Sequence, residues 1–125
     1  MNTTLLAVAL GGAVGSMGRY LLASSVTSLL GRGFPWGTFA VNIVGSFFMG
    51  ILFQVFSERH PVLDLWRTGL MVGVLGGFTT FSSFSLESLQ LIMQGAWRLA
   101  FVNALASVGL CLVGVWGGLS LARTL

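Results

Sequence analysis

Long apolar stretches constrain this chain more than any other feature. A bilayer core needs roughly 20 mostly apolar residues per helix. Four such stretches cover residues 5–30, 38–56, 66–93 and 97–121. Charged residues make up only 7% of the chain, against about 25% in typical soluble domains. We therefore predict an all-α membrane protein with a single four-helix transmembrane domain over residues 1–125.

The arginines are scattered singly along the chain. A basic nucleic-acid patch is therefore not indicated, and we predict no nucleic-acid partner. An even number of spans puts Arg59, Arg67 and Arg123 on the side of the termini and Arg32 and Arg98 on the other. Because cytoplasmic loops carry the excess of positive charge, this near balance favours insertion in both orientations, a dual topology. A single orientation set by the small bias is the alternative.

Glycines recur at helical spacing, for example at Gly69, Gly73 and Gly77. Small residues four apart let helix backbones approach closely in a membrane. Four short helices enclose little polar volume, so a transport path would form more naturally between subunits. We therefore predict an oligomer.

Two polar stripes lie within the predicted spans. Thr38 and Asn42 are four residues apart on the second span, and Asn103, Ser107 and Cys111 repeat that spacing on the fourth. Hydrogen bonding between helices explains any one of them, whereas two stripes together favour a lined pathway. Their neutral groups suit an anion or a neutral polar solute better than a cation.

Ionisable groups are rare in the spans. Arg19 either reaches toward an interface or attracts anions in a vestibule, and Glu87 is expected at the mouth of a wet path. His60 and Cys111 have no recognisable catalytic partners in the sequence. We therefore predict that the chain is not an enzyme.

The stretch GGFTTFSSFS, residues 76–85, interrupts the third span with two glycines and five hydroxyls. Adjacent glycines and a β-branched pair disfavour a continuous helix, which predicts a break near the middle of the membrane. Such a break either makes an ion site or is a kink without an ion. Phe81 and Phe84 either pack in the core or present positive ring edges to an anion.

Three motifs together resemble the Fluc family of fluoride channels, also called CrcB. They are GGAVGSMGRY (11–20), GTFAVNIVGS (37–46) and GGFTTFSSFSLE (76–87), in the family's order along the whole chain. The resemblance implies an antiparallel, dual-topology homodimer of four-helix subunits. It also implies two fluoride pores and one central, structural sodium ion (Na⁺).

The resemblance extends to individual residues. It implies that the carbonyls of Gly76 and Thr79 coordinate sodium and that Arg19 and Glu87 belong to the vestibule. Cys111 stands where several relatives have serine, and a thiol is the weaker donor. The implied fluoride pore comprises Thr38, Asn42, Phe81, Phe84, Asn103, Ser107 and Cys111.

The implied function is passive export of fluoride across the inner (plasma) membrane of a microbe by a multi-pass channel, which relieves fluoride toxicity. The alternative is a dual-topology, four-helix, proton-coupled exporter of small molecules. That exporter needs a protonatable carboxylate deep in a helix, and Glu87 is the only candidate. A structural membrane subunit held by its glycine faces is a third class, and it predicts no ion flux.

Overall fold

The computed structural model describes residues 2–57 and 61–125. Arg59 of the charge balance and His60, which was considered for catalysis, lie outside these ranges. Within them, four helical spans are long and apolar enough to cross a membrane, as predicted. The spans are Asn2–Leu30, Trp36–Val55, Leu63–Met93 and Trp97–Arg123.

The spans end at residues that stop helices. Gly31 and Gly95 have positive φ angles of 86° and 80°, a conformation that glycine adopts at no steric cost. Gly31 directly follows a helix that ends at Leu30, and Gly95 lies two residues after a helix that ends at Met93. Glycine thus ends the first and third spans.

The third span is broken, as the stretch at residues 76–85 predicts. Thr79 and Thr80 leave the helix with extended backbone, at φ −82°, ψ 156° and φ −150°, ψ 116°. Upstream of the break, residues 68–75 form a π-helix, a wider turn that is rare in proteins. The helices are α1 (Asn2–Leu30), α2 (Trp36–Val55), α3 (Pro61–Arg67), α4 (Gly76–Phe78), α5 (Phe81–Met93) and α6 (Trp97–Arg123).

Glycines bring the helices into backbone contact. A Cβ on Gly50 of α2 would collide with the carbonyl oxygen of Val115, and one on Gly118 of α6 with that of Phe47. A Cβ on Gly77 would lie 2.7 Å from the carbonyl oxygen of Gly12 in α1. Because lipid gives helices no hydrophobic reason to associate, this close packing is what holds the subunit together.

Large apolar side chains cover the outside of the subunit. Leu29 is 83% exposed, and Phe81, at the break, is 77% exposed. Val41, by contrast, is completely buried. Such a surface suits lipid or a second copy of the chain, and it agrees with an all-α, four-span membrane protein.

Candidate ion pathway

Asn42 of α2 holds the broken segment of the third span. Its Nδ2 donates to the carbonyl oxygen of Thr80 at 3.0 Å, and its Oδ1 accepts from the Thr80 amide at 2.8 Å. One side chain thus pairs with both backbone groups of Thr80, whose amide has no partner in the helix. The pair ties α2 to the break across 38 residues of sequence.

The two halves of the third span are capped at the break. The Thr79 amide and hydroxyl both donate to the Leu75 carbonyl oxygen, at 3.0 and 2.9 Å. On the other side, Thr80 is the N-cap of α5, and its Oγ1 accepts from the Ser83 amide at 3.1 Å. Capping of this kind satisfies helix ends that would be costly to bury unpaired.

A cavity of about 300 Å³, which we call the inner cavity, lies between α2, the break and α6. It brings together five of the seven predicted pore residues, and its lining carries no formally charged side chain. The residues that line it are Asn42, Gly45, Ser46, Met49, Thr79, Thr80, Phe81, Phe84, Ser107, Val108, Cys111 and Val115.

The two phenylalanines predicted to line the pore form a pair on the inner cavity. The ring centroids of Phe81 and Phe84 are 5.3 Å apart, and the rings are tilted by 41°. Phe78, the preceding phenylalanine, turns away from them, since it packs near Gly18 and Gly45 between α1 and α2. The break thus separates one core phenylalanine from the two that line the cavity.

A second cavity of about 580 Å³, the outer cavity, lies between α1, the turn at residues 31–35, α2 and the end of α5. Thr38 Oγ1 donates to Glu87 Oε1 at 2.8 Å on its wall. Glu87 Oε2 is buried and has no hydrogen-bond partner in the described part of the chain. The residues lining this cavity are Ala23, Ser24, Thr27, Ser28, Gly31, Arg32, Phe34, Pro35, Gly37, Thr38, Glu87, Gln90, Leu91 and Gln94.

The two cavities follow one another along α2. Thr38 lines the outer cavity, and Asn42, one turn further, lines the inner one. Phe84 and Glu87 on α5 are divided between the cavities in the same way. A polar solute passing from one cavity to the other would therefore meet the Thr38–Glu87 pair.

Of the residues predicted for the pore and the vestibule, two lie elsewhere. Asn103 is 1% exposed, and it donates to Ser88 Oγ at 2.9 Å and accepts from Ser107 Oγ at 3.2 Å. It therefore joins α5 to α6 and orients Ser107, which does line the inner cavity. Arg19 is half-buried on α1 and is not among the residues lining the two cavities. The pore role of Asn103 and the vestibule role of Arg19 stay predictions.

Sequence reasoning missed several polar residues of the two cavities. Thr80 could have been found as the hydroxyl residue that begins a helix after a break, the position that N-caps favour. Gln90 and Gln94 follow Glu87 at the i+3 and i+7 positions of one helix face, which helical spacing also reveals. Met49 carries no signal of its own, because methionine is common in packed cores.

Side chains offer little to a metal ion here. Among the described residues, no group of three histidine, cysteine, aspartate or glutamate side chains converges on a common point.

Comparison with known proteins identifies relatives over nearly the full chain. Residues 6–119 match the family model described as "CrcB-like protein, Camphor Resistance (CrcB)". A Geobacter sulfurreducens protein named "Fluoride-specific ion channel FluC" is 50% identical over 98% of this chain and 99% of its own. Proteins with the same name from Magnetococcus marinus and Caulobacter vibrioides are 51% and 49% identical, over 93% and 98% of this chain and 94% and 97% of their own.

Proposed function

The chain belongs to the CrcB family, and from that premise we propose that it is a fluoride-selective ion channel that exports fluoride passively and so relieves fluoride toxicity. Its relatives are named as fluoride-specific ion channels. The chain is a multi-pass protein of a microbial plasma membrane, and it is a channel protein rather than an enzyme. The predictions of family, membrane location and non-enzymatic class are thereby confirmed.

The observation that carries the proposal is the lining of the inner cavity. Asn42 contributes an amide and the Phe81–Phe84 pair its rings, and Ser107 contributes a hydroxyl whose proton is donated to Asn103 Oδ1 and must rotate to meet an anion. A pore must replace the hydration shell of its ion with donors that are favourable enough to admit it and weak enough to release it. Neutral donors and the positive edges of aromatic rings meet that requirement for a small anion.

The channel would be an antiparallel, dual-topology homodimer. A single subunit leaves Phe81 77% exposed, so its ring lines the inner cavity and faces outward at once. A second copy packed against this face would cover the ring and close the pathway. The near balance of arginines on the two sides supports insertion in both orientations.

A sodium ion would lie between the two subunits at the helix breaks. Sodium is a hard cation that oxygen ligands suit, and unwound backbone carbonyls coordinate it in other membrane proteins. The Gly76 and Thr79 carbonyls fit this role because Gly76 is exposed, and a Cβ there would have only Met71 O nearby, at 3.8 Å. When bound, the ion would supply a positive charge that joins the two breaks.

Ion efflux from liposomes tests the proposed function. Purified protein is reconstituted into liposomes loaded with equal concentrations of potassium fluoride and potassium chloride, valinomycin is added so that potassium carries the compensating charge, and both anions are followed with selective electrodes, protein-free liposomes serving as the control. We expect fluoride to leave and chloride to stay, without need of a pH gradient. Efflux that requires a proton gradient would favour the exporter class, and retention of both ions would indicate a structural subunit.

A further inference from the structure

We infer that Asn42 and the Thr80 hydroxyl are positioning residues that hold the Gly76 and Thr79 carbonyls free for a cation, so that one side chain of the inner cavity also maintains the cation site. The inference rests on the proposed function for the identity of the ion. It assigns to Asn42 a task at the break in addition to lining the cavity.

The first step concerns the Gly76 carbonyl. In a continuous α-helix, this oxygen would accept from the amide four residues later, which is that of Thr80. The Thr80 amide instead donates to Asn42 Oδ1 at 2.8 Å. Asn42 thus takes the donor that would otherwise occupy the Gly76 oxygen.

The second step concerns the Thr79 carbonyl, and it repeats the first with a different side chain. The regular partner of this oxygen is the Ser83 amide. That amide donates to Thr80 Oγ1 at 3.1 Å. The two carbonyls predicted to bind sodium are therefore the two whose helical donors are held by Asn42 and Thr80.

Thr80 couples the two captures. Its carbonyl oxygen accepts from Asn42 Nδ2 at 3.0 Å, so both of its backbone groups are held while its hydroxyl caps α5. Asn42 uses one N–H of Nδ2 in this pair, and an amide nitrogen has two. The second N–H remains for an anion in the inner cavity. Loss of Asn42 would thus disturb the cavity and the carbonyls of the break together.

A sodium titration of protein stability tests the inference. The melting of purified protein is followed by tryptophan fluorescence, with sodium replaced by N-methylglucamine and long equilibration before each scan. We expect wild-type protein to melt at higher temperature in sodium. Asn42→Leu and Thr80→Val should need at least about tenfold more sodium for half of the effect, because a carbonyl in each subunit returns to helical bonding.

Two further variants separate positioning from general damage. Thr80→Ser keeps the capping hydroxyl and should restore the sodium response, whereas Thr80→Val has nearly the same shape without it. Phe53→Ile changes an exposed ring of α2 that is not among the residues lining either cavity, and its sodium response should equal that of the wild type.

The outcomes distinguish the inference from the proposed function. An unchanged sodium response in both Asn42→Leu and Thr80→Val, or no recovery in Thr80→Ser, would overturn the inference alone. If wild-type melting ignored sodium, both the inference and the proposed sodium site would fall. Fluoride conduction would still stand on its own efflux measurement.

Discussion

At the scale of single residues, Phe81 offers the most direct test of the pore. Phe81→Ile keeps apolar volume but removes the aromatic ring from the inner cavity. We expect fluoride efflux from liposomes to fall by about two- to tenfold, since an aromatic pair such as Phe81–Phe84 contributes about 0.5–1.5 kcal/mol beyond its buried area. This loss of fluoride efflux should exceed the loss that a change of side-chain volume alone would cause.

The matched control for Phe81 is Phe53. Phe53 is 52% exposed on α2 and is not among the residues lining either cavity. Phe53→Ile should conduct fluoride as the wild type does. Equal losses in both variants would show that the effect comes from general damage rather than from the cavity.

Arg32 provides a second residue-level test, at the mouth of the outer cavity. Its cation lies on the wall of a cavity that leads to Thr38 and Asn42, so it should raise the local concentration of anions. Arg32→Gln should slow efflux by about two- to threefold at low fluoride and low salt, where entry limits the rate. The difference should vanish in high salt because ions screen the charge.

Arg98 is the natural control for Arg32. It lies at the start of α6, on the same side of the membrane, and is not among the residues lining the outer cavity. Arg98→Gln removes the same charge and should leave the rate nearly unchanged. An identical slowing in the two variants would mean that the net charge of that side, and not the cavity, controls entry.

At the scale of helices, adjacent glycines of the break have different tasks. Gly77 faces α1, where a Cβ would lie 2.7 Å from the Gly12 carbonyl oxygen, whereas Gly76 is exposed on the subunit surface. Gly77→Ala should therefore destabilise the subunit itself. Gly76→Val should leave the subunit folded but impair its pairing, because a β-branched side chain stands where a second copy would approach.

Size-exclusion chromatography and melting curves separate these two effects. Gly76→Val is expected to elute as a smaller species than the wild type, with its helical circular dichroism retained. Gly77→Ala is expected to lower the melting temperature of whatever species it forms. A wild-type elution volume for Gly76→Val would argue against a dimer interface at the break.

At the scale of the whole molecule, the division of charge between the two sides predicts how the chain is oriented in the membrane. The turns after α1 and α5 share one side, because Arg32 and Gln94 line the same cavity. The C-terminus lies near the far end of α2, where Arg123 Nε donates to Gln54 Oε1 at 3.3 Å. With charges so evenly divided between these sides, we expect both orientations in one membrane.

Cysteine labelling tests the orientation. A cysteine added at the C-terminus, after Cys111→Ser, should react with an impermeant reagent from both faces of the native membrane. Two or three lysines added to one set of loops should lock the orientation, and fluoride efflux should return only when oppositely locked chains are expressed together. Labelling from one face alone would exclude dual topology.

The sequence by itself determined the four spans, their ends and the position of the break. These features depend on neighbouring residues: runs of apolar side chains, glycines with positive φ after helices, and the Gly76–Gly77 pair beside two threonines. Helical spacing also placed Thr38 and Asn42 on one face of α2. Local chemistry was sufficient for all of this.

Only the tertiary structure decided which polar groups share a cavity. Asn103 and Ser107 lie on one helical face, yet Ser107 reaches the inner cavity while Asn103 is bonded between α5 and α6. Likewise, Asn42 meets Thr80 because glycine contacts bring α2 and the third span together across 38 residues. Such pairings depend on how helices pack, and no repeat within a single helix records them.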